Sequence, residues 1–289
     1  MNIIFWLISA LFASLWASHR KKSLDASTLP KSLFMLSWPA SWFFIIWSLL
    51  YISNIDYWIY TDIKIIWLIL IIVFLDLVAN LLEMNVLKKT KLSEILPYTN
   101  LDKLFIVLIW FFLFYWTKNS TSVTTLIITL ITIIIIWVFS INFKNFQIPK
   151  SILQYSVVMM CRWIGILIVW FIFLSYWTLE YLSINMVFTF ILYITLALVL
   201  KESFRSLKEQ SKEFYKSRWA SLILWWWGFI IWLYIVKEAW VLIATLISFV
   251  WLIFNVIAMK FILNDSPEKK QILLALIVTW LIWIWYYFK

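Results

Sequence analysis

Glycine nearly fails to appear in this chain. Of 289 residues only Gly165 and Gly228 are glycine, and cysteine and histidine occur once each, as Cys161 and His19. One cysteine excludes an internal disulfide. One histidine leaves the usual histidine-based metal sites, and any nucleophile–histidine–acid set, without their parts. The sequence has no glycine-rich phosphate loop, no HExxH and no aspartate-rich metal–diphosphate motif inside a helix-length segment. No metal, no cofactor and no catalysis are therefore expected, and pumping by ATP would need a partner chain. Charge is scarce too, at 13% of residues.

What the chain has instead is apolar length. It is 65% hydrophobic, with a mean hydropathy of +0.96. No soluble domain of this size needs so much apolar surface, so the expected solvent is lipid. Ten segments are long enough to span: Ile3–Ser18, Leu33–Ile55, Ile63–Leu82, Leu92–Trp116, Val123–Ile141, Ser151–Leu174, Tyr181–Leu200, Trp219–Val236, Trp240–Leu263 and Gln271–Phe288. Runs near 20 residues without turn signals favour helices, since barrel strands are about half that length. The fold class expected is all-α, a polytopic membrane protein of ten transmembrane helices. The first segment carries its positive cluster after the apolar run, and so reads as a retained helix and not a cleaved signal.

The net charge of +10 fits basic loops on one side of a membrane better than a nucleic-acid partner. Loops after segments 1, 3, 5, 7 and 9 hold 18 Lys and Arg; the opposite side holds four, Lys64, Lys118, Lys237 and Lys289. The alternation works only with ten spans. It predicts cytoplasmic odd-numbered loops, both termini outside, and a multi-pass protein of the cytoplasmic (inner) membrane, as monomer or homodimer. The longest cytoplasmic loop, KESFRSLKEQSKEFYKSR, reads either as a helix on the membrane surface or as extensions of segments 7 and 8.

The ten spans divide at the linker Ile141–Lys150 into two sets of five, residues 1–145 and 146–289. Each fourth segment follows a short turn, and each ends at a polar hinge, TKNSTS after Trp116 and NDSPEKK after Leu263. Repeats with an odd number of spans have opposite orientation, the inverted symmetry of many secondary transporters. The short turn, the stretch LSEILPYTNL at Leu92–Leu101, and the hinge with its closing helix resemble the drug/metabolite transporter superfamily in its ten-helix EamA-type form; Tyr234–Phe288 resembles its second copy. The resemblance implies a central cavity lined mainly by segments 3, 4, 8 and 9 with parts of 1 and 6. It also implies the movement of small metabolites, amino acids or drugs, commonly outward and driven by gradients. The family's hinge usually reads Gly-Glu, where this chain has Trp116-Thr117 and Asn264-Asp265. The family also usually keeps both termini in the cytoplasm, opposite to the charge count here.

Tryptophan is the converse of glycine, at 23 residues. Membrane helices normally use glycine for close approach and tryptophan at interfaces. Here Trp47, Trp110, Trp137, Trp163, Trp251 and Trp283 lie well inside apolar runs, and Trp225–Trp227 are consecutive. Two readings stand. Either the protein is rich in tryptophan, or many of these positions are glycines encoded by UGA in a lineage that reads it so. The intact mass of natively expressed protein separates the two.

Four ionisable residues lie deep in the spans: Asp76, Asp102, Lys103 and Arg162. Asp76 and Lys103 each lie about 13 residues from the middle of the turn Lys88–Lys91, which places them at one depth in antiparallel helices rising about 1.5 Å per residue. A charge there costs several kcal/mol unless paired or wetted. Asp76 with Lys103 is the preferred pair, with Arg162 a competing partner. The functional reading is a substrate or proton site in a cavity wall; the alternative is a static ion pair fastening helices. Nearer the turn, Asn80, Glu94, Tyr98 and Asn100 are further candidates, Glu94 and Tyr98 sharing a helix face; Asn255 in segment 9 reads either as a further polar contact of the site or as an interhelical hydrogen bond. Glu83 reads as a headgroup-level partner of Lys88–Lys91. The function expected is a secondary transporter, exporter or facilitator, with a small-molecule substrate and protons as the candidate coupling ion. A membrane-embedded lipid-modifying enzyme and a non-transporting scaffold are the alternatives.

Overall fold

The computed structural model describes residues 3–30, 33–34, 57–95, 127–128, 130–132, 134–135, 138, 150–173, 175–176, 178–203, 205–238, 251–265 and 269–288. Among them there is no strand. The elements in chain order are α1 (Ile3–Asp25), a 3-10 turn (Tyr57–Tyr60), α2 (Ile63–Lys89), α3 (Leu92–Ile95), α4 (Lys150–Phe173), α5 (Thr178–Val199), α6 (Arg205–Lys208), α7 (Lys212–Glu238), α8 (Trp251–Ala258, continued by a π-turn over Met259–Leu263) and α9 (Lys269–Phe288). Segments 1, 3, 6, 7, 8 and 10 thus coincide with long helices, and the C-terminal part of segment 9 with α8. The linker 141–149 lies outside the described residues.

Three of these helices are long and apolar enough to cross a membrane: Ile63–Lys89, Leu153–Phe173 and Glu180–Val199. Their outward faces explain why. On α2 the exposed stripe is Ile63, Trp67, Ile71 and Phe74, while Ile65, Ile69, Ile72 and Val73 are buried. Spacings of three and four put each set on one face. A helix apolar on both faces cannot satisfy water on its outer side; lipid can. Leu153, Val157, Met160 and Phe171 on α4, and Leu276, Trp280 and Trp283 on α9, are likewise exposed.

Local chemistry fixes the ends of α2. Asp62 caps its N-terminus, its Oδ1 accepting from the backbone N–H groups of Lys64 and Ile65 at 3.1 and 3.2 Å. Its other oxygen accepts from Tyr176 Oη at 3.0 Å, tying the helix start to the turn after α4. Lys88 and Lys89 occupy the last turn, where the helix dipole favours cations.

Helices α1 and α7 pack most closely. Gly228 permits this, because a β-carbon there would lie 3.2 Å from Phe12 Cβ, and Ser9 Oγ donates to the Gly228 carbonyl at 3.5 Å. The loop before α7 resolves one open question of the sequence. Arg205–Lys208 forms a single turn, and from Lys212 onward the chain is a helical extension of segment 8. Phe214 on that extension is buried and meets Phe34 edge-on at 6.1 Å.

The buried side chains form two clusters. One gathers Leu24, Leu33, Phe34, Met84, Leu87 and Tyr193; the other gathers Ile65, Ile69, Ile72, Val169, Tyr181 and Met186. The space between them is not filled.

Candidate functional site: a charged cavity between two apolar cores

A cavity of about 360 Å³ lies where the clusters meet. Its walls come from α1, α2, α4, α5 and α7, with Phe34 closing one side. Much of the wall is apolar or aromatic, from Ile72, Ile166, Val169, Met186, Trp225 and Phe229. Set into that wall are Asp76, Asn80, Arg162, Asn185, Thr189, Tyr181 and Tyr193, together with Arg20 and Arg218. This combination of a greasy body with a few convergent polar groups is the usual make-up of a small-molecule site.

Asp76 sits at the midpoint of α2, the fourteenth of its 27 residues. Its side chain is partly buried against the cavity, and among the described residues it makes no hydrogen bond or ion pair. One turn on, Asn80 accepts from Arg20 Nη2 at 3.0 Å and donates to Tyr193 Oη at 3.2 Å, joining α1, α2 and α5. Across the cavity Asn185 donates to Tyr181 Oη at 3.1 Å.

Glu83 corrects the sequence reading. Its carboxylate is buried away from the lysines of the turn, and its Oε2 accepts from both Arg20 Nη1 and Arg162 Nη2, the latter at 2.6 Å. The reason is helical phase. Glu83 lies on the buried face of α2 with Ala79 and Met84, whereas Lys88 and Lys89 end the helix beyond it. The resulting triad ties α1, α2 and α4 together.

Two arginines that sequence reasoning assigned to loops also belong to this site. Arg20 stacks over the ring of Trp16, four residues earlier, at 5.4 Å. Arg218 lies over the ring of Phe34 at 4.3 Å and donates to the Phe34 carbonyl at 3.1 Å. A signal was present, because helices do not stop where apolar runs stop. Phe214, Arg218 and Leu222 follow at four-residue spacing, and all three are buried. Removing both arginines from the loop count leaves sixteen basic residues against four, so the charge bias persists.

Beyond the triad lies a second, much smaller hollow of about 20 Å³. Arg20, Arg162 and Trp16 line both spaces, while Glu83, Tyr155, Asn255, Leu87 and Leu92 line only the smaller. Asn255 is buried there, and its Oδ1 has no hydrogen-bond partner among the described residues. Leu87 and Leu92 flank the basic turn, so the small hollow points from the main cavity toward that end of the molecule.

The remaining candidates divide as follows. Asp76, Asn80 and Arg162 share the main cavity, and Asn255 shares the small hollow with Arg162. Glu94 has its backbone in α3. Tyr98, Asn100, Asp102 and Lys103 lie outside the described residues, so the Asp76–Lys103 pairing does too. Among the described residues the cavity draws on segments 1, 3, 6 and 8 and, through Tyr181, Asn185 and Tyr193, on segment 7; segments 4 and 9, which the resemblance also puts in the wall, reach only the small hollow, through Leu92 and Asn255, and segment 4 beyond Ile95 lies outside the described residues. No group of three or more His, Cys, Asp or Glu able to hold a metal occurs among the described residues.

Neither a family model nor a curated protein matches the chain.

Proposed function

We propose that this chain is a secondary transporter of a small metabolite, amino acid or drug, working as exporter or facilitator through its central cavity. In this reading ten membrane helices form two five-helix inverted repeats, residues 1–145 and 146–289, as in EamA-type members of the drug/metabolite transporter superfamily. The chain lies in the cytoplasmic membrane with its basic loops inside, and protons are the candidate coupling ion.

The observation that carries the reading is the position of charge. Asp76, Arg20, Arg162 and Arg218 face a hollow of about 360 Å³ inside helices whose outer faces are apolar. Ionisable groups at that depth are retained chiefly along substrate and ion paths. A cavity of about 150 Å³ already holds benzene, so this one has room for a metabolite of roughly twice that bulk. Asp76 supports proton coupling by position. A carboxylate at mid-helix, facing a cavity and without a fixed partner among the described residues, can be reached by both a proton and a substrate.

Purified protein in vesicles with an imposed pH gradient tests the reading. Flux of at least one compound among amino acids, amines and organic acids is expected. A flat response across all three classes, or turnover of a lipid headgroup in the same vesicles, would contradict it.

A further inference from the structure

The outer face of α7 changes chemistry along its length. Lys212, Tyr215, Lys216, Trp219, Ile223 and Trp227 are all exposed. At about 100° per residue, all but Tyr215 fall within about 80° of the helix circumference, so they form one stripe. The opposite face, with Phe214, Ser217, Arg218, Ser221 and Leu222, is buried. Along the stripe two ammonium groups come first, then the Trp219 indole, then apolar side chains only. From Lys212 to Trp227 the helix rises about 22 Å, the depth of one bilayer leaflet with its headgroups.

Neighbouring elements bring more positive charge to the lysine end. Lys22 of α1 pairs with Glu213 at 3.3 Å, and both Lys22 and Lys216 lie close to His19. The Tyr215 hydroxyl donates to the Leu207 carbonyl, fastening α6, with its exposed Arg205 and Lys208, beside the start of α7. Other helices present less. On α2, Lys88 and Lys89 are exposed, but Asn85, Leu82 and Leu81 inward of them are not. Above their apolar stripes α4 and α9 each show one exposed lysine among the described residues, Lys150 and Lys269, with no exposed aromatic residue in the next two turns. Helix stability does not account for Lys212 either, since it opens α7, where the dipole disfavours a cation.

We propose that this stripe binds one anionic phospholipid of the leaflet next to the basic loops. The phosphate sits on Lys212 and Lys216, the glycerol backbone lies at Trp219, and an acyl chain runs along Ile223 and Trp227. The proposal needs the helices to lie in a membrane; it is independent of what the central cavity carries. Lysines four residues apart share a helix face and offer two ammonium groups to one phosphate. An indole at headgroup depth keeps its N–H wet and its ring against hydrocarbon. A zwitterionic headgroup brings its own cation to the lysines and gains less.

Native mass spectrometry of the full-length protein, in micelles holding equal amounts of phosphatidylglycerol and phosphatidylcholine, tests this. Each lysine is expected to favour the anionic lipid about fivefold, and the pair about 25-fold. The double variant Lys212→Gln, Lys216→Gln should retain the two lipids nearly equally, while Lys150→Gln should keep the wild-type preference. Should the double variant fail to fold, the two single variants, each expected to lose about fivefold, replace it. Equal retention of both lipids by wild type would overturn the proposal, as would an unchanged preference in the α7 variants. An equal loss in Lys150→Gln would also overturn it, by showing diffuse attraction to basic loops in place of a site. Glycerol phosphate added at the concentration of the lipid should displace none of it; displacement would show a site for a soluble anion and sink the lipid assignment.

Discussion

Arg162 donates to Glu83 Oε2 at 2.6 Å, and the same oxygen accepts from Arg20. A shared oxygen of this kind is not two ordinary salt bridges. Arg20 is buried and Arg162 partly buried, each with half a counter-charge, so the carboxylate holds three helices at one point. The triad also forms the boundary between the main cavity and the small hollow that leads toward the basic turn.

Removing the central charge is predicted to be severe. Glu83→Gln leaves the buried Arg20 and the partly buried Arg162 without their shared counter-charge, and an uncompensated buried charge costs about 3–5 kcal/mol. Arg162→Gln keeps a matched Arg20–Glu83 pair and loses one charge-assisted hydrogen bond, about 1.5–3 kcal/mol. Thermal unfolding in detergent should rank wild type, Arg162→Gln and Glu83→Gln in that order. Equal loss in the two variants would show that the shared oxygen is not the organising contact.

The two glycines are predicted to behave differently. An added methyl at Gly228 meets Phe12 Cβ at 3.2 Å across the α1–α7 contact. Overpacking of that kind costs about 1–3 kcal/mol. At Gly165 the nearest neighbour is Ile72 Cγ2 at 3.9 Å, an ordinary contact, so alanine gains up to about 1 kcal/mol of helix propensity. Gly165→Ala should therefore match or exceed wild-type thermal stability while narrowing the cavity, and Gly228→Ala should fall below it.

Orientation follows from accessible positions. Ser23 is fully buried and its hydroxyl donates to the Arg20 carbonyl, so it is a poor labelling site. Glu209 and Lys64 are exposed, the first between α5 and α7 and the second at the start of α2. In a Cys161→Ser background, Glu209→Cys should react with an impermeant maleimide only after the membrane is opened, and Lys64→Cys without opening. The converse pattern would place the basic loops outside.

The helical framework was legible because lipid imposes length: apolar runs of about 20 residues correspond to α2, α4, α5, α7 and α9 within a few residues at most ends. The site was legible only where a charge interrupts such a run. Asp76 and Arg162 stand out for that reason, and both face the cavity. Arg20, Arg218 and Glu83 were hidden because they sit just past the ends of the apolar runs, where sequence alone assigns charge to headgroups, although their helices continue. Their burial depends on helical phase and on partners in distant segments, such as Phe34 beneath Arg218. Tyr181, Asn185 and Tyr193 were hidden differently. Polar but uncharged side chains inside an apolar helix are common, and only the packing of α5 against α2 turns these three toward the hollow.

The most direct measurement is proton-gradient-driven flux of a transported ligand in vesicles carrying wild type or Asp76→Asn. The substitution keeps size and removes charge at the midpoint of α2, where no fixed partner among the described residues depends on it. Wild type should carry ligand in response to the gradient. Asp76→Asn, folded and with thermal stability within about 1 kcal/mol of wild type, should lose that response by tenfold or more. Equal gradient-driven flux in the two proteins would contradict a charged central cavity as the seat of transport.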